Sequence, residues 1–215
     1  MPICYLFFLL IFIIFVSPIL ISFAFFYFAK TGFNFLDIST GMAIFVLLAM
    51  FFASFLNIPL GKKKLVKVYE KQFFGLAERA VWKSQGVSIN VGGAVIPLLI
   101  VGLILPNISF YSFFITTSVV TFFSFLGSRI IEERGVVIAM FLPVLLSVFF
   151  SVLLAPEQAP QVAFCSGVLG VLIGSDILSL PYFLVKKGGV FSIGGAGIFD
   201  AIFLVGIISA ILAGV

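Results

Sequence analysis

Seven stretches of this chain are apolar over roughly twenty residues each, the length a helix needs to cross about 30 Å of hydrocarbon. They fall at 2–29, 38–60, 87–105, 108–126, 136–155, 162–185 and 190–213. A soluble core has no room for them: 63% of the 215 residues are hydrophobic and only 9% are charged. The expected fold is an all-α membrane protein, a single polytopic domain over 1–215 with about seven transmembrane helices. The first run has no basic leading region, is too long for a signal-peptide core and lacks a small-residue cleavage pattern before Lys30, so it is expected to persist as a membrane helix. The third opens Ser88-Ile89-Asn90-Val91-Gly92-Gly93-Ala94 and carries Pro97 near its centre, which leaves a straight, a broken and a re-entrant helix open.

Lys and Arg in short loops are retained on the cytoplasmic side. Lys62 to Lys83 holds seven of the twelve basic residues, Arg129 and Arg134 flank another loop, and Lys186 and Lys187 a third, so eleven fall on one face and only Lys30 on the other. The expected placement is a multi-pass protein of a cell (plasma or inner) membrane, N-terminus cytoplasmic and C-terminus external. Within 62–83, Leu65, Tyr69, Phe73, Leu76 and Ala80 recur at spacings of three and four, which predicts a cytoplasmic amphipathic helix along the interface. Lys62, Lys63, Lys64, Lys67 and Lys71 would there meet lipid, anionic lipid in particular, or serve only as a topology anchor. A homo-oligomer is compatible with this arrangement, and no nucleic-acid partner is expected.

The catalytic menu is short. The chain has no His, which excludes a Ser-His-Asp triad and His-ligated metal sites. Cys4 and Cys165 are far apart and read as packing residues. Two carboxylates and an amide offer too few oxygen ligands for a hard cation without backbone or water, so no metal and no cofactor are expected.

What stands out are Asp176 and Asp200, in the last two apolar runs, ten residues before Lys186 and eleven after Gly189. On regular helices each would sit about 15 Å below the cytoplasmic end, near the bilayer midplane. A carboxylate there costs roughly 2.5 to 3.5 kcal/mol on insertion scales, so such residues usually face the bundle interior and often mark function. Antiparallel neighbours joined by the turn Lys186-Lys187-Gly188-Gly189 would bring the pair close enough to share a proton. Ser175 and Ser179 accompany Asp176, while Gly167, Gly170 and Gly174 form a stripe roughly opposite to it. That helix therefore either packs on two faces or breaks at Gly174.

A short echo links two runs: Ser88-Ile89-Asn90-Val91-Gly92-Gly93-Ala94 opens the third and Ser192-Ile193-Gly194-Gly195-Ala196 the seventh. Gly-interrupted segments in matching positions are one pointer to a site built from broken helices. Gly195 and Gly197 do not form a dinucleotide loop, since no strand is expected before them. The stretches 89–97 (INVGGAVIP), 170–180 (GVLIGSDILSL) and 192–203 (SIGGAGIFDAIF) resemble the signature segments of the prokaryotic membrane family catalogued as domain of unknown function 1614, over roughly 85–213. Both aspartates fall on motif positions; Ser175 and Ala201 stand where the family pattern has other small residues, and 129–137 matches more loosely. The resemblance implies sites without implying a reaction.

Three functions fit these residues. In proton- or cation-coupled transport, the leading expectation, Asp176 and Asp200 bind the coupling ion while Asn90, Ser175 and Ser192 line the path, with Gly92, Gly93, Gly194, Gly195 and Gly197 supplying backbone groups. In an intramembrane aspartyl protease one carboxylate is a general base and the other polarises the scissile carbonyl. The chain departs there from presenilin-like proteases, which carry Gly-x-Gly-Asp where this sequence has Gly197-Ile198-Phe199-Asp200. In a membrane scaffold or assembly protein, the aspartates only hydrogen-bond hydroxyls and amides.

Overall fold

The computed structural model describes residues 2–72, 77–131, 135–186 and 190–215. Side chains at 2–16, 67–72, 77–81, 83, 130, 131, 135, 185 and 186 lie outside the described set. The elements run α1 (Pro2–Phe35), α2 (Thr40–Ala53), β1 (Asn57–Pro59), β2 (Lys64–Gln72), β3 (Ala77–Asn90), a π-helical turn (Val91–Val95), α3 (Ile96–Ile104), α4 (Phe110–Gly127), β4 (Ser128–Ile131), β5 (Gly135–Ile138), α5 (Phe141–Leu154), α6 (Ala159–Val171), a second π-helical segment (Leu172–Ile177), α7 (Leu180–Lys186), β6 (Val190–Ile193) and α8 (Ala201–Gly214). The protein is mostly helical, with a small sheet that the apolar runs did not announce.

Among the described residues two helical stretches, Phe110–Gly127 and Pro156–Leu184, are long and apolar enough to cross a membrane. The apolar helices Thr40–Ala53, Val91–Asn107, Phe141–Leu154 and Ala201–Gly214 are shorter; at 14 residues α2, α5 and α8 each extend only about 21 Å. The runs expected as seven full spans are thus corrected at their ends. Residues 57–59, 87–90, 135–138 and 190–193 are extended: 57–59 and 87–90 alternate Val or Ile with Asn, Ser or Pro in the period of two of a pleated strand, while 135–138 and 190–193 are short runs rich in Val, Ile and Phe. The third run is neither a straight nor a re-entrant helix as such: its first residues complete β3, and helix begins only at Val91, where Asn90 caps it.

The second correction concerns 62–83. In place of an amphipathic helix, β2 and β3 form an antiparallel hairpin in which Lys64 faces Gln85 and Gln72 faces Ala77. Spacings of three and four were present, yet β-branched and aromatic residues at Val66, Val68, Tyr69, Val81 and Trp82 favour strands, and the ladder supplies backbone partners an isolated helix would not need.

At its other end β3 is sandwiched. Ser88 and Ile89 pair with Pro59 and Ile58 of β1 on one edge and, in parallel register, with Ser192 and Ile193 of β6 on the other. The sequence echo is therefore a structural one: the two Ser-Ile steps lie side by side, and each strand then turns into a helix.

Helix α6 is the centre, packed against α4, α5 and α8. Small residues set the distances. A Cβ on Gly167 would lie 3.2 Å from the Gly206 Cα of α8, and one on Gly170 would lie 2.7 Å from the Val120 Cβ of α4. A Cβ on Gly174 would lie 2.7 Å from the Ser124 Cβ of α4. Of the two readings left open for this helix, packing on two faces fits; the chain does not break at Gly174 but continues as helix with a π-type hydrogen-bond pattern over Leu172–Ile177. Hydroxyls add interhelical bonds, as between Ser147 and Ser209 at 2.6 Å, so Ser209→Ala should lower the unfolding free energy in detergent by about 0.6 kcal/mol, and an unchanged midpoint would remove this bond from the account.

Two ends of the bundle are distinct. At one, Gln85 Nε2 of β3 donates to Leu184 O of α7 (2.7 Å) and Ser128 Oγ lies 2.9 Å from Ser179 Oγ, gathering the sheet, the β4–β5 hairpin and α7. At the other, Gln158 joins Asn107 and Ser109, and Gln161 Nε2 donates to Asp37 Oδ2 (2.9 Å). Exposed Lys62, Lys63, Lys64 and Arg129 belong to the sheet end, while Lys30 lies near the C-terminus of α1, at the opposite end.

Candidate functional site

The site is built where β6 stops. Gly194 and Gly197 both adopt the left-handed region, φ +67° and +64°, and let the chain turn sharply before α8. Expected as the middle of a continuous helix over 190–213, Asp200 is instead the N-cap of α8: its Oδ1 accepts from Ile202 N (3.0 Å) and its Oδ2 from Ala196 N (3.1 Å). Asp176 sits in the second π-helical segment, with Oδ2 accepting from Gly194 N (3.2 Å) and Oδ1 2.9 Å from Ser175 Oγ. The Ser175 hydroxyl is also 2.8 Å from Val171 O, so its single proton serves two acceptors.

The two carboxylates thus hold amides two residues apart on one loop. Both are half-buried, and the rim around them is open: Phe199 is 58% exposed, Ile177 45% and Leu178 43%, with Gly195 and Ala196 also exposed. Each carboxylate oxygen receives one donor, which leaves acceptor capacity on both groups. Among the described residues no three acidic, His or Cys side chains converge, so any cation at the pair would depend on backbone carbonyls and water.

Of the residues expected around the pair, Ser175, Gly194, Gly195 and Gly197 are brought to it, and Ser192 is near but bonded elsewhere: its Oγ donates to Asn57 Oδ1 (2.8 Å). Ser179 turns to Ser128 and is not a partner of Asp176. Asn90 is fully buried, its Nδ2 donates to Ser54 O (2.7 Å) and Asn57 Oδ1 (3.2 Å), and its Oδ1 accepts from Gly93 N (2.8 Å). Asn90→Ala should cost about 2 kcal/mol through the amide and carbonyl left unpaired, measured as a shift in the unfolding midpoint in detergent; a shift indistinguishable from zero would mean that water replaces the side chain. Gly92 and Gly93 provide the close approach that the site needs, Gly92 against the Ser54 backbone N (2.6 Å from a built Cβ) and Gly93 against Gly194 and Gly197. The side chains of Lys67 and Lys71 lie outside the described residues, as does the turn 187–189; Lys62, Lys63 and Lys64 are exposed.

Sequence reasoning missed Ser54 and Asn57. Ser54 Oγ donates to Met50 O (2.6 Å) and accepts from Ile198 N (3.2 Å), tying the end of α2 to the loop before Asp200. The available signal was the Asn57-Ile58-Pro59 interruption, which breaks an apolar run with an amide and a proline.

A family model described as protein of unknown function, DUF1614, matches residues 51–212, most of the chain. The chain belongs to the DUF1614 family. The DUF1614 match begins ahead of the motifs that suggested it, taking in Ser54, Asn57 and the β2–β3 hairpin as well as both aspartates. No curated protein and no solved structure matches the chain.

Proposed function

We propose that this DUF1614 chain is a multi-pass membrane protein whose Asp176–Asp200 pair is the catalytic centre of an intramembrane aspartyl protease. One observation carries the reading: two carboxylates hold amides two residues apart on a loop that directly follows an edge strand, on an open face of the bundle. A peptide must be extended before its carbonyl is accessible to attack, and the edge of a sheet is a surface on which an extended segment gains backbone hydrogen bonds. Among the described residues β6 has a strand neighbour on one edge only.

The chemistry requires no group beyond the pair. One carboxylate takes a proton from water as its oxygen bonds to the scissile carbonyl carbon, and the other, protonated, donates to the carbonyl oxygen. Collapse of the tetrahedral intermediate breaks the C–N bond while the amine leaves with a proton from the pair. Ser175 and the Gly194, Ala196 and Ile202 amides orient the carboxylates. Gly197–Phe199, where the sequence departs from Gly-x-Gly-Asp, form a 3-10 turn ahead of Asp200.

Membrane placement rests on the long apolar stretches at 110–127 and 156–184 and on alternating helices that gather Lys62, Lys63, Lys64 and Arg129 at the sheet end. That end is cytoplasmic and the C-terminus external. With Gly214 at the far boundary, the 14 residues of α8 place Asp200 about 21 Å from it, about 9 Å below the cytoplasmic edge of a 30 Å core. The pair is therefore shallower than regular helices through 190–213 would have put it.

The test is labelling of the reconstituted protein by a photoreactive peptide in which a tetrahedral hydroxyl-bearing carbon replaces the scissile carbonyl. Labelling is expected in the native chain and lost in both Asp176→Asn and Asp200→Asn; absence of labelling in the folded native chain, or its persistence in both variants, rejects proteolysis. A second reading, proton- or cation-coupled transport, is favoured by the in-register Ser-Ile strand ends that both run into helices. Proton or sodium flux in the same vesicles that depends on both aspartates, without labelling, would establish it instead.

A further inference from the structure

The β2–β3 hairpin carries the chain's single Trp, and its register decides what that residue sits beside. Directly opposed residues of an antiparallel pair share a face. Leu65 opposes Ser84, and Ser84 is two residues from Trp82 on β3, so Leu65 and Trp82 share one face. Leu65 is 72% exposed and Trp82 66%. Gln85 belongs to the other face, the one that reaches α7 through Leu184 O. The face of Leu65 and Trp82 is thus the one opposite to the contact between Gln85 and α7.

We propose that this face lies on the cytoplasmic surface of the bilayer, with Trp82 and Leu65 at the level of the lipid headgroups and Lys62 and Lys63, just ahead of β2, over anionic headgroups. Three observations support a lipid surface as the occupant. An indole and an aliphatic side chain are both exposed on one face of a strand pair, as at a membrane interface. The exposed Lys62 and Lys63 just ahead of β2 complement a negatively charged leaflet. The hairpin also continues without a break through β3 into the helical bundle, at the end where the exposed basic residues gather. Its function would be to hold the sheet, and with it the Ser88–Ser192 step beside the aspartates, at constant depth. The inference rests on the membrane placement proposed above and not on proteolysis.

Because there is one Trp, its emission reports this face alone. The full chain would be reconstituted in vesicles of phosphatidylcholine with or without phosphatidylglycerol, with bromine carried either near the headgroup or near the acyl terminus, and flotation of the protein with the vesicles would be scored separately. Expected are blue-shifted Trp82 emission, stronger quenching by shallow than by deep bromine, and, with Lys62→Gln and Lys63→Gln combined, roughly halved shallow quenching in the anionic vesicles. Trp82 emission typical of water, quenched by aqueous iodide whether or not lipid is present, overturns the proposal even where the protein floats with the vesicles. Deep quenching equal to shallow overturns it too. Failure to float rejects the membrane placement itself.

Discussion

Gly93→Ala should lower the unfolding free energy by about 3 kcal/mol, the upper end of what overpacking ordinarily costs. A Cβ at this position would meet backbone, not flexible side-chain ends: the Gly194 carbonyl oxygen, the Gly197 carbonyl oxygen at 2.8 Å and the Gly197 Cα at 2.9 Å. These atoms have little freedom to retreat. Ile89 is paired with Ile193 immediately upstream, Gly197 is held by Gly194 O, and the Ser54 hydroxyl pins Ile198 from the other side. The natural control is Gly102 in α3, where a Cβ meets nothing within 4 Å; Gly102→Ala should be neutral or stabilising by up to about 1 kcal/mol, the helix preference for Ala. Thermal or denaturant midpoints of the two variants in one detergent decide the matter. Equal midpoints would mean that the strand-to-helix junctions are not in the contact described.

At Asp200 the capping role can be separated from the catalytic role proposed for it. As an N-cap it holds Ile202 N, and Asn caps about as well as Asp, so Asp200→Asn should change stability by less than about 0.5 kcal/mol while Asp200→Ala costs about 1 kcal/mol. Activity should follow the opposite logic. Neither Asn nor Ala can exchange a proton with water or substrate, so turnover of an extended apolar peptide should fall by about 10² to 10⁴ in both variants, the usual worth of positioned acid–base catalysis. Asp176→Asn should behave as Asp200→Asn does, since an amide oxygen can still accept from Gly194 N. Peptide fragments quantified by mass spectrometry, beside the unfolding midpoint of each variant, give both readouts. Full turnover in the Asn variants with a loss only in Asp200→Ala would reduce the aspartates to capping groups and leave the scaffold reading.

Much of the site was legible because its residues are costly where they stand. A carboxylate in an apolar run needs a partner, and this alone singled out Asp176 and Asp200. The helix they flank was read less completely. The stripe of Gly167, Gly170 and Gly174 announced close packing, but that it faces α8 at one glycine and α4 at the other two depends on where those helices lie. Ser179 illustrates the limit of local spacing: one turn from Asp176 by periodicity, it is carried by the π-helical segment to Ser128.

Hydropathy, for its part, cannot tell an apolar strand from an apolar helix when the run is short. Residues 57–60, 87–90 and 190–193 have the same affinity for a nonpolar surrounding in either form, and were read into neighbouring helices for that reason. What made them strands is mutual: β1 and β6 are three and four residues long, too short to persist alone, and each is held by pairing with β3 from a distant part of the chain. The sequence by itself determined where nonpolar burial is needed, which residues are too polar to be there by accident, and which family the motifs resemble, because those are properties of side chains one at a time. Only the tertiary structure decided that Ser88 lies beside Ser192, that Asp200 caps α8 instead of interrupting it, and that the two carboxylates grip one loop, because backbone hydrogen bonds are satisfied between segments about a hundred residues apart and no local pattern records the partner.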